Sequence, residues 1–214
     1  MLAIITGDII ASRKLVNQEK WLLPLKNLFA NWGNNPKNWE LYRGDFFQLE
    51  ITNIDDVLLK ALEIKALIKK VEPVDERKNI ATIDVRIAIG IGDKSYSAET
   101  ISESNGSAFI FSGEKFDLLK KENTTIGIKT PWQDFDEEIN LYLKLAAIFM
   151  DKWSVSSAEL MQIVLKHPHA TQEAIGKQLG IKQNSVSGRW KRTYINEILE
   201  VNKMFQKKIK KLLK

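Results

Sequence analysis

The run ATIDVRIAIGIG at residues 81–92 constrains the fold of this chain more than any other segment. It is the longest stretch rich in β-branched residues, and its apolar side chains alternate at Ile83, Val85, Ile87, Ile89 and Ile91. A period of two is typical of a β-strand with one face turned to a core. We therefore expect a sheet with one face covered by packed helices.

Strand and helix patterns alternate on both sides of this run. The predicted strands lie at residues 2–10, 39–52, 81–92 and 124–129. The predicted helices lie near residues 17–32, 55–71 and 107–120. The tripeptide Arg-Gly-Asp at 43–45 interrupts the second strand, and the last strand is expected at a sheet edge. The order β-α-β-α-β-α-β predicts an α+β or α/β sandwich of about 130 residues.

After Pro131 the patterns are helical throughout. The predicted elements are a connecting helix near 134–154, a helix at 158–166 capped by Ser156 or Ser157, a helix capped by Thr171 that ends at Gly180, and a long last helix from Gln183 toward Leu213. We expect three parts: an α+β domain at 1–132, a connecting helix at 133–155 and an all-α domain at 156–214.

Residue usage excludes several classes of protein. The 214 residues include no cysteine and two histidines, which excludes disulfides, thiolate zinc sites and thiol catalysis and disfavours Ser-His-Asp chemistry. Hydrophobic residues make up 44% and charged residues 28%, so the chain can build a core. No run approaches the ~20 apolar residues that cross a bilayer, and the apolar start lacks the basic stretch of a signal peptide. We expect a cytoplasmic protein without a membrane partner.

Positive charge is concentrated at the C-terminal end. Residues 151–214 hold 13 of the 32 basic and 5 of the 27 acidic residues, a net charge of +8, whereas the rest of the chain carries −3. Such asymmetry is typical of a segment that faces a polyanion, although a solvated lysine-rich helix has the same count.

The segment at 170–193 predicts two short helices around a glycine turn. Their predicted apolar anchors are Ala174, Ile175, Leu179, Ile181 and Val186. The front of the second helix is then exposed, with amides suited to adenine edges and arginines suited to guanine edges or phosphates. The predicted DNA-binding residues are Gln183, Asn184, Ser185, Ser187, Arg189, Lys191 and Arg192. A helical hairpin with a solvated basic face, or one that contacts protein, has the same pattern.

This segment resembles the helix-turn-helix of bacterial regulators. The threonine at 171, the Leu-Gly-Ile turn at 179–181 and the Val-Ser pair at 186–187 fall at that family's spacing, while Gly176 stands where alanine is usual. The resemblance implies DNA binding. A single helix-turn-helix binds weakly, so a homodimer is expected.

Two aspartates, each directly after a glycine, mark a candidate metal site. Asp8 lies near the end of the first strand and Asp45 in the second. Carboxylates on neighbouring strands supply the oxygen ligands that Mg²⁺ or Mn²⁺ prefer, and the preceding glycines let a phosphate or metal approach the backbone. The alternatives are a structural polar cluster, in which Asp8 caps a turn and Asp45 pairs with Arg43 or Arg86, and a site for another small ligand.

The stretches AIITGDIIAS (3–12) and YRGDFFQLE (42–50) resemble the palm-like catalytic domain of class III nucleotide cyclases, and VRIAIGIG (85–92) is similar to a later strand of that domain. The resemblance spans about residues 2–130 in element order. It implies a ferredoxin-like, palm-like sandwich. By the same resemblance the metal ligands are Asp8, Asp45 and the carbonyl of Ile9.

The sequence departs from that family at its catalytic positions. Asn38-Trp39-Glu40 occupy the neighbourhood of the family's purine-selecting lysine. The segment 106–119 lacks the family's asparagine and arginine, for which Lys115 is a weak substitute. Without these groups the transferring phosphoryl group loses charge stabilisation. No catalytic residue is therefore assigned.

The body of the chain is similar to the SatD family of small bacterial proteins. The shared motifs are ITGDIIAS (5–12), RGDFFQ (43–48), RIAIGIG (86–92) and GSAFIFSG (106–113). The resemblance implies a body followed by a helix-turn-helix, and it implies no particular activity. The predicted ligand-binding residues beside the two aspartates are Gly7, Arg43, Gly44 and Gln48, with Ser12, Arg13, Ser112 and Gly113 as weaker candidates.

Three functions are compatible with these features. The first is a DNA-binding transcriptional regulator whose cyclase-like domain senses a nucleotide or a metal. The alternative is a Mg²⁺- or Mn²⁺-dependent nucleotidyl transferase or nucleotide cyclase that acts on a nucleoside triphosphate. The third is a nucleotide-binding adaptor whose helical tail contacts protein.

Overall fold

The structure, a computed structural model, describes residues 1–15, 17–42, 44–72 and 83–214, which form one sheet and eight α-helices. The strands are β1 (Leu2–Ile10), β2 (Trp39–Tyr42), β3 (Phe46–Ile51), β4 (Asp84–Gly92) and β5 (Ile126–Lys129). The helices are α1 (Glu19–Ala30), α2 (Val57–Lys69), α3 (Ser107–Glu122), α4 (Gln133–Met150), α5 (Val155–Lys166), α6 (Gln172–Leu179), α7 (Gln183–Thr193) and α8 (Ile195–Leu212). The predicted α+β class is confirmed. Arg43 and the first two residues of the predicted strand 81–92 lie outside the described residues.

The strands lie in the order β2-β3-β1-β4-β5. All neighbours are antiparallel except β4 and β5, which are parallel. In the centre of the sheet, Asp8 of β1 lies beside Phe46 of β3 on one side and Arg86 of β4 on the other. The position of β5 at an edge agrees with the prediction.

Helices cover both faces of the sheet, where the sequence predicts one covered face. Ile5 of β1 faces a core shared with α1 and α2, whereas Ile4 packs against Phe109 of α3 on the opposite face. α3 approaches closely because the β4 residues beneath it are small: a Cβ on Gly90 would lie 2.2 Å from the carbonyl oxygen of Ala108. The even-numbered side chains of β1 therefore lie on the same face as α3.

The later helices pack onto the sheet and onto α2. α4 lies along β5, where the Asn140 side chain accepts from the Ile128 N–H at 2.9 Å and donates to the Ile128 carbonyl at 2.8 Å. α5 packs against α2, and a continuous cluster of buried side chains extends from the sheet to α8. None of the helices in the described ranges has the length and apolar character needed to cross a bilayer.

Residues 39–52 form a hairpin and not the single interrupted strand predicted. β2 and β3 pair antiparallel with Tyr42 opposite Phe46, and the turn between them contains Gly44 at a φ of +86°. Apolar residues alternate on both sides of the turn, so the pattern alone does not reveal the change of direction.

Two helix boundaries also differ from the predictions. The expected last helix is divided into α7 and α8 by Tyr194, which has a left-handed φ of 56°. α5 begins at Val155 because the capping oxygen belongs to Ser154, and not to Ser156 or Ser157. The Ser154 hydroxyl accepts from the backbone N–H of Ser157 at 3.2 Å.

Candidate functional sites

The structure brings Asp8 and Asp45 to one open pocket of about 480 Å³ at an end of β1. Asp8 lies on β1, and Asp45 lies in the turn between β2 and β3. The other described residues that line the pocket are Tyr42, Phe46 and Lys120. The pocket thus combines two acids, one amine and two aromatic rings.

The hairpin turn is held against the end of β1 by two hydrogen bonds of Asp45. Its Oδ2 accepts from the hydroxyl of the buried Ser12 at 2.8 Å, and its backbone carbonyl accepts from the Ile9 N–H at 3.0 Å. The positive φ of Gly44 reverses the chain there, which glycine adopts at little cost. These contacts fix the Asp45 carboxylate at the rim of the pocket.

Arg86 of β4 pairs with Asp8, and not with Asp45. Its Nη1 lies 3.0 Å from Oδ1 and 3.2 Å from Oδ2 of Asp8. Burial raises the pKa of Asp8 above its ordinary 3.8, and the opposing effects of Arg86 and Lys120 are smaller. The Nε–H of Arg86 is buried and has no hydrogen-bond partner among the described residues.

The fit of Mg²⁺ or Mn²⁺ depends on these two carboxylates. They are suitable oxygen ligands. Ile9, whose carbonyl is the third predicted ligand, donates its backbone N–H to the Asp45 carbonyl, and Ile9 is not among the described residues that line the pocket. Arg86 already neutralises Asp8, so a divalent cation has to compete with the guanidinium. No group of three or more histidine, aspartate or glutamate side chains in the described ranges is placed to hold a metal. The pocket supplies two carboxylates and not a preformed cage.

Gly7, a predicted ligand-binding residue, is not among the described residues that line this pocket. A Cβ on Gly7 would lie 2.3 Å from Cζ of Phe47, on the α1–α2 side of the sheet. The close passage of the Phe47 ring therefore explains this glycine. Gln48 lies on the side of β3 that faces α3. Neither Gln48 nor Gly44 is among the described residues that line the pocket.

The weaker candidates fall into different surroundings. Ser112 is fully buried and hydrogen-bonds to Thr6 at 3.0 Å, so its role is packing of α3 on β1. Arg13 is exposed, and a Cβ added to Gly113 would meet nothing within 4 Å. Lys115 lines a separate groove between α3, β5 and α4, so it cannot serve the Asp8 pocket.

Sequence reasoning missed Lys120, the amine in this pocket. Its Nζ lies over the Phe116 ring, 4.2 Å from the centroid, and its charge acts on Asp8. A lysine in the last turn of a helix is usually solvated, so its sequence position gives no signal.

The helix-turn-helix segment forms a compact three-helix unit in which α7 packs on both α5 and α6. Thr171 caps α6 as predicted, since its hydroxyl accepts from the Ala174 N–H at 3.2 Å, and Gly180 ends α6 at a φ of +65°. Of the predicted apolar anchors on α6, Ile175 is buried. Ala174 is exposed, so it does not serve as an anchor.

Gly176 lies at a close contact between α6 and the chain that follows it, where its carbonyl accepts from the Ile181 N–H at 3.0 Å. A Cβ there would lie 2.8 Å from the Ile181 carbonyl oxygen. Backbone cannot move aside as a flexible side chain can, so the close contact favours glycine at this position.

The predicted DNA-binding residues divide into two sets on α7. Five of them are exposed: Gln183, Asn184, Ser185, Lys191 and Arg192. Ser187 and Arg189 are half-buried, and Arg189 Nη1 lies 3.9 Å from a carboxylate oxygen of Glu159 on α5. The exposed set presents amides, a hydroxyl and two cations on one helix.

A buried ion cluster on the other face of the sheet was not predicted. The Nζ of the fully buried Lys65 lies 2.7 Å from Asp84 Oδ1 and 2.5 Å from Asp151 Oδ1. Lys69 donates to the Asp151 carbonyl at 2.7 Å, and burial lowers the pKa of Lys69 more than Asp84 raises it. The sequence did hold a signal for this buried lysine: Lys65 comes seven residues after Leu58 and therefore falls on the apolar face of α2.

No protein-family model matches this sequence, and no curated protein is significantly similar to it.

Proposed function

We propose that this protein is a cytoplasmic DNA-binding regulator in which α5–α7 act as a helix-turn-helix and α7 enters the major groove. The observation that carries the proposal is the exposed surface of α7, where Asn184, Lys191 and Arg192 project from a helix fixed by α5 and α6. The +8 charge of residues 151–214 supports contact with a polyanion. Arg189 contributes less because Glu159 neutralises part of its charge.

The test is a titration of the full chain with genomic duplex fragments at several salt concentrations. Lys191→Ala with Arg192→Ala should weaken binding to all fragments and reduce the slope of log K against log salt by about 2. Lys26→Ala on the exposed side of α1 is the charge control and should leave the slope unchanged. Equal binding by the double variant and the control would remove α7 as the DNA-contacting element.

Asn184→Ala tests base recognition separately from charge. Loss of an amide that pairs with an adenine edge should cost about 1–3 kcal/mol on the preferred fragment and little on others. A uniform loss on every fragment would show that Asn184 contacts the backbone alone.

We propose, as a second function, that the Asp8 pocket binds a nucleoside triphosphate with Mg²⁺ or Mn²⁺, within a ferredoxin-like, palm-like body. The strand order and the placement of a Gly-Asp hairpin beside the Asp8 strand support this fold, as does the resemblance to class III cyclases and the SatD family. Lys120 supplies a cation for phosphate opposite the two carboxylates. Binding of a triphosphate would make the regulator ligand-responsive.

Calorimetry with the four triphosphates and Mn²⁺ tests this second proposal. Lys120→Ala should lower the affinity, whereas Lys121→Ala, at the exposed neighbouring position, should not. Chromatography of the same mixtures detects cyclase or transferase products, which should disappear with Asp45→Asn. Absence of heat with every triphosphate would overturn binding, and product from the Asp45→Asn variant would exclude the two-aspartate reaction.

A further inference from the structure

The outward face of α4 carries three large apolar side chains in solvent. Leu141, Leu145 and Ile148 are 55%, 52% and 50% exposed. They are spaced four and three residues apart, so they form one line on the helix, here called the outer stripe. The opposite face of α4 is used for the core through residues such as Ile139 and Leu143. Contiguous exposed apolar surface of this kind marks a contact site.

The spacing of the outer stripe is that of a helix-pairing seam. Asp134, seven residues before Leu141, lies on the same line in the first turn of α4, and Lys152, seven residues after Leu145, lies in the turn that directly follows α4. Both end residues are exposed. The surface therefore begins acidic at Asp134, is apolar along the outer stripe and ends basic at Lys152, and within α4 the apolar steps of four and three are those of a coiled-coil seam.

We propose that the outer stripe pairs with the same stripe of a second copy of this chain, with the two α4 helices antiparallel about a twofold axis. When Leu141 faces Leu145 of the second copy, the same alignment brings Asp134 beside the turn of that copy that holds Lys152. A twofold interface repeats both contacts. The charge order is what selects a second copy as the occupant, because an antiparallel partner of the same sequence brings opposite charges together at both ends.

The interface lies beside the DNA-contacting helix. Phe149 of α4 stacks on Tyr194, with ring centroids 3.9 Å apart, and Tyr194 directly follows α7. Pairing through α4 thus fixes the end of each α7 relative to the seam. This inference does not rest on DNA binding, because the dimer forms without it.

Sedimentation of the full chain over a concentration series, without DNA, tests the pairing. The wild type should be a dimer, and Leu145→Glu should weaken self-association at least about 100-fold. Ile110→Glu on α3 is the control, because Ile110 is 53% exposed and lies outside the stripe. A monomeric wild type, or a Leu145→Glu variant that remains dimeric, would overturn the proposal.

A charge exchange separates antiparallel self-pairing from binding of another protein or a lipid surface to the same stripe. Asp134→Lys alone and Lys152→Asp alone should each weaken the dimer, and the double variant should restore it. Failure of the double variant to recover, with both single variants weakened, would exclude the proposed alignment.

Discussion

Two helical glycines in this chain differ in what surrounds them. A Cβ on Gly176 of α6 would lie 2.8 Å from the Ile181 carbonyl oxygen, whereas a Cβ on Gly113 of α3 would meet nothing within 4 Å. The same residue type therefore serves close packing at one position, and no contact explains it at the other. Alanine substitutions at these two positions therefore separate the effect of helix propensity from the effect of steric crowding.

Gly176→Ala is expected to destabilise the protein by about 1–3 kcal/mol, because overpacking against backbone outweighs the better helix propensity of alanine. Gly113→Ala should stabilise it by about 0.5–1 kcal/mol. Urea denaturation followed by circular dichroism measures both. If Gly176→Ala stabilised the protein instead, the Ile181 carbonyl in the turn after α6 would have to move away from the added Cβ.

Asp8 is expected to make stability depend on pH. Because burial holds its pKa above 3.8, the folded protein binds this proton more tightly than the unfolded chain. The destabilising contribution is absent below about pH 3.8 and grows as the pH rises through the raised pKa, so it is fully present at neutral pH. Asp8→Asn removes the charge and should be more stable than the wild type at pH 7.

Denaturation at a series of pH values measures this difference, which should close as the pH falls toward 3.8. Asp117→Asn, at an exposed position of α3, is the control for removal of a carboxylate. A wild type more stable than Asp8→Asn at pH 7 would mean that the pair with Arg86 outweighs burial.

The limits of sequence reasoning at the residue scale concern long charged side chains. Asp8 and Asp45 were recognised because a glycine precedes each one near a strand end. Lys120 and Lys65 were not, since a lysine in a helix is compatible with a solvated face, a pocket or a buried ion pair. Only the packing of other elements around the Nζ atom decides between these environments.

At the scale of elements, the buried lysine of α2 joins three parts of the fold. Lys65 contacts Asp84 at the start of β4 and Asp151 at the end of α4, and it also lies 3.2 Å from the Thr125 hydroxyl before β5. Removal of the lysine takes the nearer cation from both carboxylates and, among the described residues, leaves Asp84 with Lys69 alone, whose Nζ lies 3.5 Å from Oδ2. The α2–β4–α4 junction should therefore depend strongly on this one side chain.

Lys65→Met is expected to cost about 3–5 kcal/mol of unfolding free energy. Lys70→Met, at the exposed end of the same helix, should change it by less than about 0.5 kcal/mol. Thermal and urea unfolding give both values. A Lys65→Met protein as stable as the wild type would show that the carboxylates find other partners or protonate.

Elements with a strong local pattern were predicted well. β1 was predicted at residues 2–10 and α3 near 107–120, and the structure has Leu2–Ile10 and Ser107–Glu122. The hairpin and the α7–α8 break were missed because each depends on one or two residues with positive φ, Gly44 and Tyr194. A tyrosine gives no signal for a left-handed conformation, which its packing on Phe149 helps to hold.

At the scale of the whole molecule, the largest buried apolar cluster of the described residues runs from the α1–α2 face of the sheet through α4 to α8, and two smaller clusters lie under α3. We therefore expect the sheet and the C-terminal helices to unfold in a single transition. Circular dichroism and tryptophan fluorescence should give coincident unfolding curves. The fluorescence reports on both parts of the fold, because Trp21 is buried beside the sheet and the Trp153 indole N–H donates to the Thr193 carbonyl at the end of α7. Two separate transitions would mean that the parts predicted to divide near residue 155 are independent folding units.

The single side chain of Asn140 offers Ile128 of β5 the same donor and acceptor that another strand would provide. At the opposite border of the sheet, Glu40 of β2 accepts from the Ser102 N–H of the loop before α3. Exposed borders are where sheets of different molecules fuse into amyloid-like aggregates. With Ile128 on its β5 border occupied in this way, the sheet offers little template for such polymerisation on that side.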